Sequence, residues 1–132
     1  MNKSFISKST IRHSTWILWV LIIAVLSFIP GNHLPEIKWK IISIDALVHF
    51  GMYFVLSILL AFAFVFKNKV NLSKLNLYLI LVLVGIVFGT FVELVQGSFI
   101  YQRYFDLLDI LANSIGSLVG MLIVALISRK LV

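Results

Sequence analysis

The hydrophobic and polar positions of this chain fall into long apolar stretches separated by short polar segments. Four apolar stretches can be drawn, at residues 15–29, 44–66, 75–96 and 107–128. The last three reach the roughly 20 residues that an α-helix needs to cross the hydrocarbon core of a bilayer. The first stretch reaches that length if its helix begins near Ser9-Thr10, with Arg12 and His13 extending towards the lipid headgroups.

This pattern predicts an all-α polytopic membrane protein that forms a bundle of four transmembrane helices. We expect a single domain at 1–132, with spans at about 12–29, 44–66, 75–96 and 107–128. A basic start followed by an apolar run also fits a cleavable signal peptide. No small-x-small cleavage site follows, however, and Pro30-Gly31 ends the first helix, so we expect that helix to be retained.

Composition supports a membrane protein over a soluble domain. The chain has 61% hydrophobic and 12% charged residues, whereas soluble domains have roughly 45–50% apolar and about 25% charged residues. The absence of cysteine excludes disulfides, thiolate metal sites and cysteine nucleophiles.

The distribution of basic residues predicts the orientation of the chain. The net charge of +6 comes from short basic groups between apolar stretches and not from a stripe along one helix face, so we expect no nucleic-acid partner. Eight Lys and Arg residues lie at the two termini and in the second loop; only Lys38, Lys40 and Arg103 lie on the other side. By the positive-inside rule, both termini are cytoplasmic and the first and third loops face outside.

Polar residues inside the spans are the candidates for function, because an ionised side chain in hydrocarbon is costly unless it is paired or hydrated. They lie near the predicted external ends of the last three helices, and the cytoplasmic halves contain nothing comparable. The residues are Asp45, His49, Tyr53, Glu93, Gln96, Arg103, Asp106, Asp109 and Asn113.

Helical spacing places these residues on shared faces together with glycines. Asp45, His49 and Tyr53 are four apart on the second helix. Glu93 and Gln96 share a face of the third helix with Gly85 and Gly89, and Asp109 and Asn113 share a face of the fourth with Gly116 and Gly120. Glycine stripes allow close helix packing in lipid, either within the chain or in an oligomer. We therefore expect an acidic pocket that opens to the external side.

The order and spacing of these motifs resemble the VanZ-like family from about Phe28 to Gly120. The resemblance rests on Pro30-Gly31-Asn32-His33-Leu34-Pro35, Asp45-x-x-x-His49-Phe50-x-x-Tyr53, Glu93-x-x-Gln96 and Arg103-x-x-x-x-x-Asp109-x-x-x-Asn113-x-x-Gly116-x-x-x-Gly120. It implies a small multi-pass protein of the bacterial cytoplasmic membrane; the family is named for a protein linked to reduced susceptibility to teicoplanin. Members often carry a lysine where this chain has Ala46.

Several of these residues also have purely structural interpretations. Asp45 and Asp106 could cap helices, with capping favoured for Asp106. His49 could be a buried histidine held between Asp45 and a backbone carbonyl, and Glu93 could form an ion pair with Arg103. Gln96 and Asn113 could be interhelical hydrogen-bond partners, and the glycines are packing residues first.

Three functions remain open. The first is binding or modifying an envelope lipid, a glycopeptide or a wall precursor at the outer face. The second is an intramembrane hydrolase in which Asp45, His49, Glu93 and Asp109 hold a divalent metal that activates water against a lipid-linked phosphate or ester. The third is a proton-coupled carrier, which is disfavoured because the cytoplasmic halves lack polar residues.

Overall fold

The protein is a bundle of four α-helices in the computed structural model, which describes residues 8–33, 43–66 and 73–130. Helix α1 covers Lys8–Ser27, α2 Ile44–Phe64, α3 Lys74–Phe99 and α4 Leu107–Lys130. A single 3-10 turn, Gly31–His33, follows α1. The motif residues Leu34 and Pro35 lie outside the described residues, as do Lys3, Lys38, Lys40, Lys67 and Lys69 of the charge pattern.

Short polar side chains fix where α2, α3 and α4 begin. The Ser43 Oγ accepts a hydrogen bond from the Ala46 N–H at 3.1 Å, and Ser73 does the same for Asn76 at 3.1 Å. The Asp106 Oδ1 accepts from the Leu108 N–H at 2.8 Å. These caps satisfy amide groups that have no partner within the helix. Asp106 thus caps α4 as expected, whereas α2 is capped by Ser43 and not by Asp45.

Helix α2 lies at the centre of the bundle and packs against all three other helices, most extensively against α4. The apolar core between the helices includes Tyr53, Leu56 and Leu60 of α2 with Met121 and Val124 of α4. Because α2 is central, polar residues on its buried face can contact polar residues of α3 and α4.

The outer surface of the bundle is apolar. Large hydrophobic side chains such as Val25, Leu75 and Val87 are at least 60% exposed. Three helical segments are long and apolar enough to cross a membrane, at Ile44–Phe64, Lys74–Phe99 and Leu107–Ser128. The apolar part of α1, Ile11–Ser27, is shorter. The predicted all-α membrane bundle of four helices is thus confirmed; the N-in/C-in orientation stays a prediction.

Candidate functional site

The predicted polar residues converge at one end of the bundle. Asp45 and His49 lie in the first two turns of α2, and Asp109 and Asn113 lie in the first two turns of α4. Glu93 and Gln96 come from the last turns of α3, which runs antiparallel to both. All of them except Asp45 are at least 96% buried: His49, Glu93, Gln96, Asp109 and Asn113. At 1.5 Å rise per residue, His49 and Asn113 lie roughly 8–9 Å from the first residues of α2 and α4, measured along the helix axes.

His49 is the centre of this polar cluster. Its Nδ1 lies 3.1 Å from the Asn113 Oδ1, within hydrogen-bond distance. The same nitrogen lies 3.4 Å from the Glu93 Oε1, although the alignment is not that of a hydrogen bond. The other nitrogen, Nε2, lies 3.7 Å from the Asp45 Oδ1. The imidazole therefore bridges α2 to both α3 and α4. The Asn113 amide and the Glu93 carboxylate lie beside its Nδ1, where the structural interpretation had placed a backbone carbonyl.

Arg103 pairs with Asp45 rather than with Glu93. Its Nη1 donates to the Asp45 Oδ2 at 3.0 Å. No Arg103–Glu93 ion pair within 4.0 Å occurs among the described residues, so the expected pair is wrong. Arg103 lies in the non-helical link between α3 and α4. Helical spacing therefore does not determine the direction in which its side chain extends. Glu93 is left without a cationic side chain beside it in the part of the chain that the structure describes.

Gln96 connects the cluster to α1 and not to Asn113. Its Nε2 donates to the backbone carbonyl of Ser27 at 2.6 Å. Ser27 is fully buried, and sequence reasoning did not single it out. A small polar residue at a helix end, one turn from a helix-breaking proline, was the available signal. Tyr53 lies deeper, fully buried, with its ring 5.9 Å from that of Phe88.

Several buried polar atoms of the cluster have no hydrogen-bond partner among the residues that the structure describes. They are Glu93 Oε1 and Oε2, Asp109 Oδ1, Asn113 Nδ2, Tyr53 Oη and Ser27 Oγ. Leaving such atoms unpaired is costly, and most buried polar groups in proteins do have partners. Most of these atoms lie at one end of the bundle. The side chains there therefore offer more hydrogen-bond donors and acceptors than the contacts within the fold satisfy.

A pocket of about 330 Å³ leads from the surface to this cluster between α1 and α2. Its polar lining includes Asp45, His49 and Arg103, and its apolar lining includes Leu26 and Met52. A larger groove of about 590 Å³ lies between α3 and α4 at the opposite end, but its walls are mostly apolar. We place the candidate site in the smaller pocket, because the ionisable side chains Asp45, His49 and Arg103 converge there.

Three of the four predicted metal ligands form a compact set. Asp45, His49 and Asp109 each offer one ligand atom, and these atoms lie within 4.8 Å of one another. Glu93 is not in that set, since it faces the Nδ1 edge of His49 and the Asp45 carboxylate faces Nε2. One imidazole and two carboxylates are a donor set that fits divalent transition metals.

The four predicted packing glycines all lie against other helices of the same chain. A Cβ at Gly85 would lie 2.5 Å from the Ser117 Oγ, and one at Gly89 would lie 2.8 Å from the Asn113 Cβ. Gly116 and Gly120 face the backbone of α2. The glycines therefore bring the polar stripes of α2, α3 and α4 into contact.

Comparison with known proteins agrees with this architecture. The sequence matches the VanZ/LLP1 family over residues 3–128, which is almost the whole chain of 132 residues. The chain belongs to the VanZ/LLP1 family. No curated protein and no solved structure matches it. The VanZ-like resemblance of the sequence motifs is thus confirmed at the level of the family.

Family membership and the apolar helices together identify a VanZ/LLP1 membrane protein. Residues from three of the motifs that suggested the family converge in this structure. His49, Asn113 and Glu93 come from three separate motifs and meet around one imidazole ring. The spacing of the VanZ-like motifs therefore corresponds to a three-dimensional site.

Proposed function

We propose that this protein binds the headgroup of an envelope lipid or of a lipid-linked wall precursor in the pocket between α1 and α2. The observation that carries the proposal is the two-sided lining of that pocket. Asp45, His49 and Arg103 provide polar atoms, while Leu26, Ile29, Val48 and Met52 provide apolar walls. This lining matches an amphiphile whose headgroup contacts the polar side chains and whose hydrocarbon chain lies along the apolar walls.

The polar groups suit a headgroup that carries both phosphate and amine or hydroxyl groups. The Asp45 side chain remains 44% exposed although it pairs with Arg103, so its oxygens can also accept from an amine or a sugar hydroxyl. The guanidinium of Arg103 can donate to a phosphate or carboxylate oxygen. At 330 Å³, the pocket is at the small end of ligand sites, which favours a headgroup over a whole glycopeptide antibiotic.

The predicted orientation would place this pocket at the outer face of the bacterial cytoplasmic membrane. Binding there would change how a lipid or precursor is exposed to the cell wall. That effect would provide a physical route to altered teicoplanin susceptibility, the property for which the VanZ-like family is named. We expect expression of this chain to lower teicoplanin susceptibility, and Asp45→Ala to remove the effect.

The direct test is lipid retention by the purified protein. The chain is purified in mild detergent, and bound lipids are identified by native mass spectrometry. We expect one amphiphile class to be enriched, and its retention to fall about tenfold in Asp45→Ala and His49→Ala, the equivalent of about 1.4 kcal/mol. Asp106→Asn is the matched control, because it removes a nearby carboxylate that does not line the pocket.

Other outcomes of this assay, and of cleavage and flux assays on the same purified protein, would overturn the proposal. Equal lipid retention in the wild type and both alanine variants would show that lipids bind only to the apolar exterior. Cleavage of a lipid added to the purified protein would support the intramembrane hydrolase instead. Proton-coupled flux across proteoliposomes, lost in His49→Ala, would support the carrier. If Asp45→Ala, His49→Ala and Glu93→Ala only reduce the yield of folded protein, the cluster is structural.

A further inference from the structure

The ligand atoms of Asp45, His49 and Asp109 are arranged as a candidate metal site. Asp45 and His49 are one turn apart on α2, and Asp109 lies in the first turn of α4. One ligand atom from each lies within 4.8 Å of the other two. Small shifts of the carboxylates would bring all three within reach of a single ion, since bonds to Zn²⁺ are about 2.0–2.2 Å long.

Buried carboxylate oxygens without partners are a second, independent observation that points to a cationic ligand. Asp109 is 96% buried and Glu93 is fully buried, yet the Asp109 Oδ1 and both Glu93 oxygens have no hydrogen-bond partner in the described part of the chain. Within the described residues, the Arg103 guanidinium pairs with the half-buried Asp45 and not with either of these two carboxylates. The cluster thus has an excess of anionic ligand atoms, and a bound divalent cation would offset it.

The side chains beside the Nδ1 of His49 resemble those that hold metal-bound histidines in other proteins. A metal-bound histidine donates its other ring N–H to a carboxylate or carbonyl oxygen, which fixes the tautomer and the ring orientation. Here the Asn113 Oδ1 lies 3.1 Å and the Glu93 Oε1 3.4 Å from Nδ1. With the proton on Nδ1, the lone pair of Nε2 points to the side where Asp45 lies.

We infer that Asp45, His49 and Asp109 bind one divalent transition-metal ion, such as Zn²⁺ or Mn²⁺, through the His49 Nε2 and two carboxylates. Glu93 and Asn113 are positioning residues that hold the imidazole. Three protein ligands leave at least one coordination position open. Because Asp45 and His49 line the pocket, the open position would face its occupant. Resting on the proposed function, this predicts that the bound headgroup carries a phosphate that coordinates the ion.

Metal binding is tested first on the protein without added lipid. The detergent-purified chain is stripped with a chelator and titrated with Zn²⁺ and Mn²⁺ by calorimetry, with metal content measured after dialysis. We expect one ion per chain in the wild type and in Asp106→Asn, and no tight ion in Asp109→Asn. Glu93→Gln should weaken the affinity by roughly 10- to 100-fold, as for other positioning residues.

A spectroscopic measurement on the wild type tests whether a histidine binds the ion, and two variants then identify which histidine it is. Mn²⁺-loaded protein with ¹⁵N-labelled histidine should show electron–nuclear coupling to one bound nitrogen. The coupling should disappear in His49→Gln and persist in His13→Gln. Absence of that coupling, a folded wild type that binds no ion, or an Asp109→Asn variant that binds like the wild type would each overturn the inference.

The lipid assay then distinguishes this inference from the proposed function. If the stripped protein retains the lipid and no ion binds, the pocket proposal stands and the metal site is wrong. If the ion binds with the expected ligands and no amphiphile is retained in either state, the metal site stands and the headgroup proposal is wrong. If both are right, restoring Zn²⁺ or Mn²⁺ should increase lipid retention by the wild type.

Discussion

At the scale of single residues, the polar cluster is defined by which atoms are paired and which are not. His49 has neighbours at both nitrogens, whereas neither oxygen of the fully buried Glu93 has a hydrogen bond to any described residue. Asp106, only three residues from Asp109, uses its carboxylate to cap α4. Two neighbouring aspartates therefore have different roles, and substitutions should separate them.

The capping role of Asp106 gives a prediction about stability. Asp106→Ala should lower the free energy of unfolding by about 1 kcal/mol, because the Leu108 N–H loses its acceptor. Asp106→Asn should stay close to the wild type, since asparagine caps helices about as well. Both can be measured by reversible denaturation in mixed micelles, followed by circular dichroism. A loss of lipid retention in Asp106→Asn without a loss of stability would contradict a purely capping role.

The hydrogen bond of Gln96 gives a second prediction at this scale. Gln96→Leu removes the donor to the Ser27 carbonyl while keeping a side chain of similar size. The free energy of unfolding should fall by about 1 kcal/mol, within the range of interhelical hydrogen bonds in membranes. Ser98→Ala on the same helix, at an exposed position, is the control and should change little. Equal stability of the two variants would show that this bond contributes nothing measurable.

At the scale of helices, the close contacts of α2 and α4 depend on residues without side chains. Gly116 faces the Phe50 carbonyl, and a Cβ there would also lie 3.1 Å from the Phe54 amide nitrogen. Backbone atoms cannot move aside as a flexible side chain can. The spacing of α2 and α4 in turn sets the distance between His49 and Asn113, so packing and site geometry are linked.

Two glycine substitutions on these helices should have opposite effects. Gly116→Ala forces α2 and α4 apart, and we expect a loss of about 1–3 kcal/mol of stability, typical of overpacking. Gly51→Ala on α2 has no atom within 4 Å of the added methyl group and should be neutral or stabilising by up to about 1 kcal/mol. Unfolding free energies measured in the same detergent compare the two. Tolerance of Gly116→Ala would mean that the interface is looser than this structure shows.

The sequence predicted the positions of the helices well and the interaction partners of individual side chains less well. Hydropathy located the long helices, and helical periodicity placed His49, Glu93 and Asn113 on facing stripes, because both depend only on local spacing. The partner of Arg103 could not be predicted, since its side chain leaves a non-helical link whose path depends on tertiary structure. The Gln96–Ser27 bond was missed because its acceptor is a backbone carbonyl, which any residue type carries.

At the scale of the whole molecule, the orientation of the chain decides which side of the membrane the polar cluster faces. The 3-10 turn after α1 and the link after α3 lie at the same end, since the Gly31 N–H donates to the Tyr101 carbonyl at 3.0 Å. The cluster lies at that end as well. Determining the side of either segment therefore determines the side of the pocket.

The absence of cysteine makes the orientation directly measurable by single-cysteine labelling in intact cells. Positive-inside bias predicts that Asn32→Cys reacts with a membrane-impermeant maleimide added outside, and that Asn68→Cys reacts only after permeabilisation. Gln102→Cys should label like Asn32→Cys, because both positions lie at the end where Gly31 contacts Tyr101. The reverse pattern would place the pocket in the cytoplasmic leaflet. An envelope ligand on the outer face would then be impossible, while the metal site, which depends only on side-chain geometry, would be unaffected.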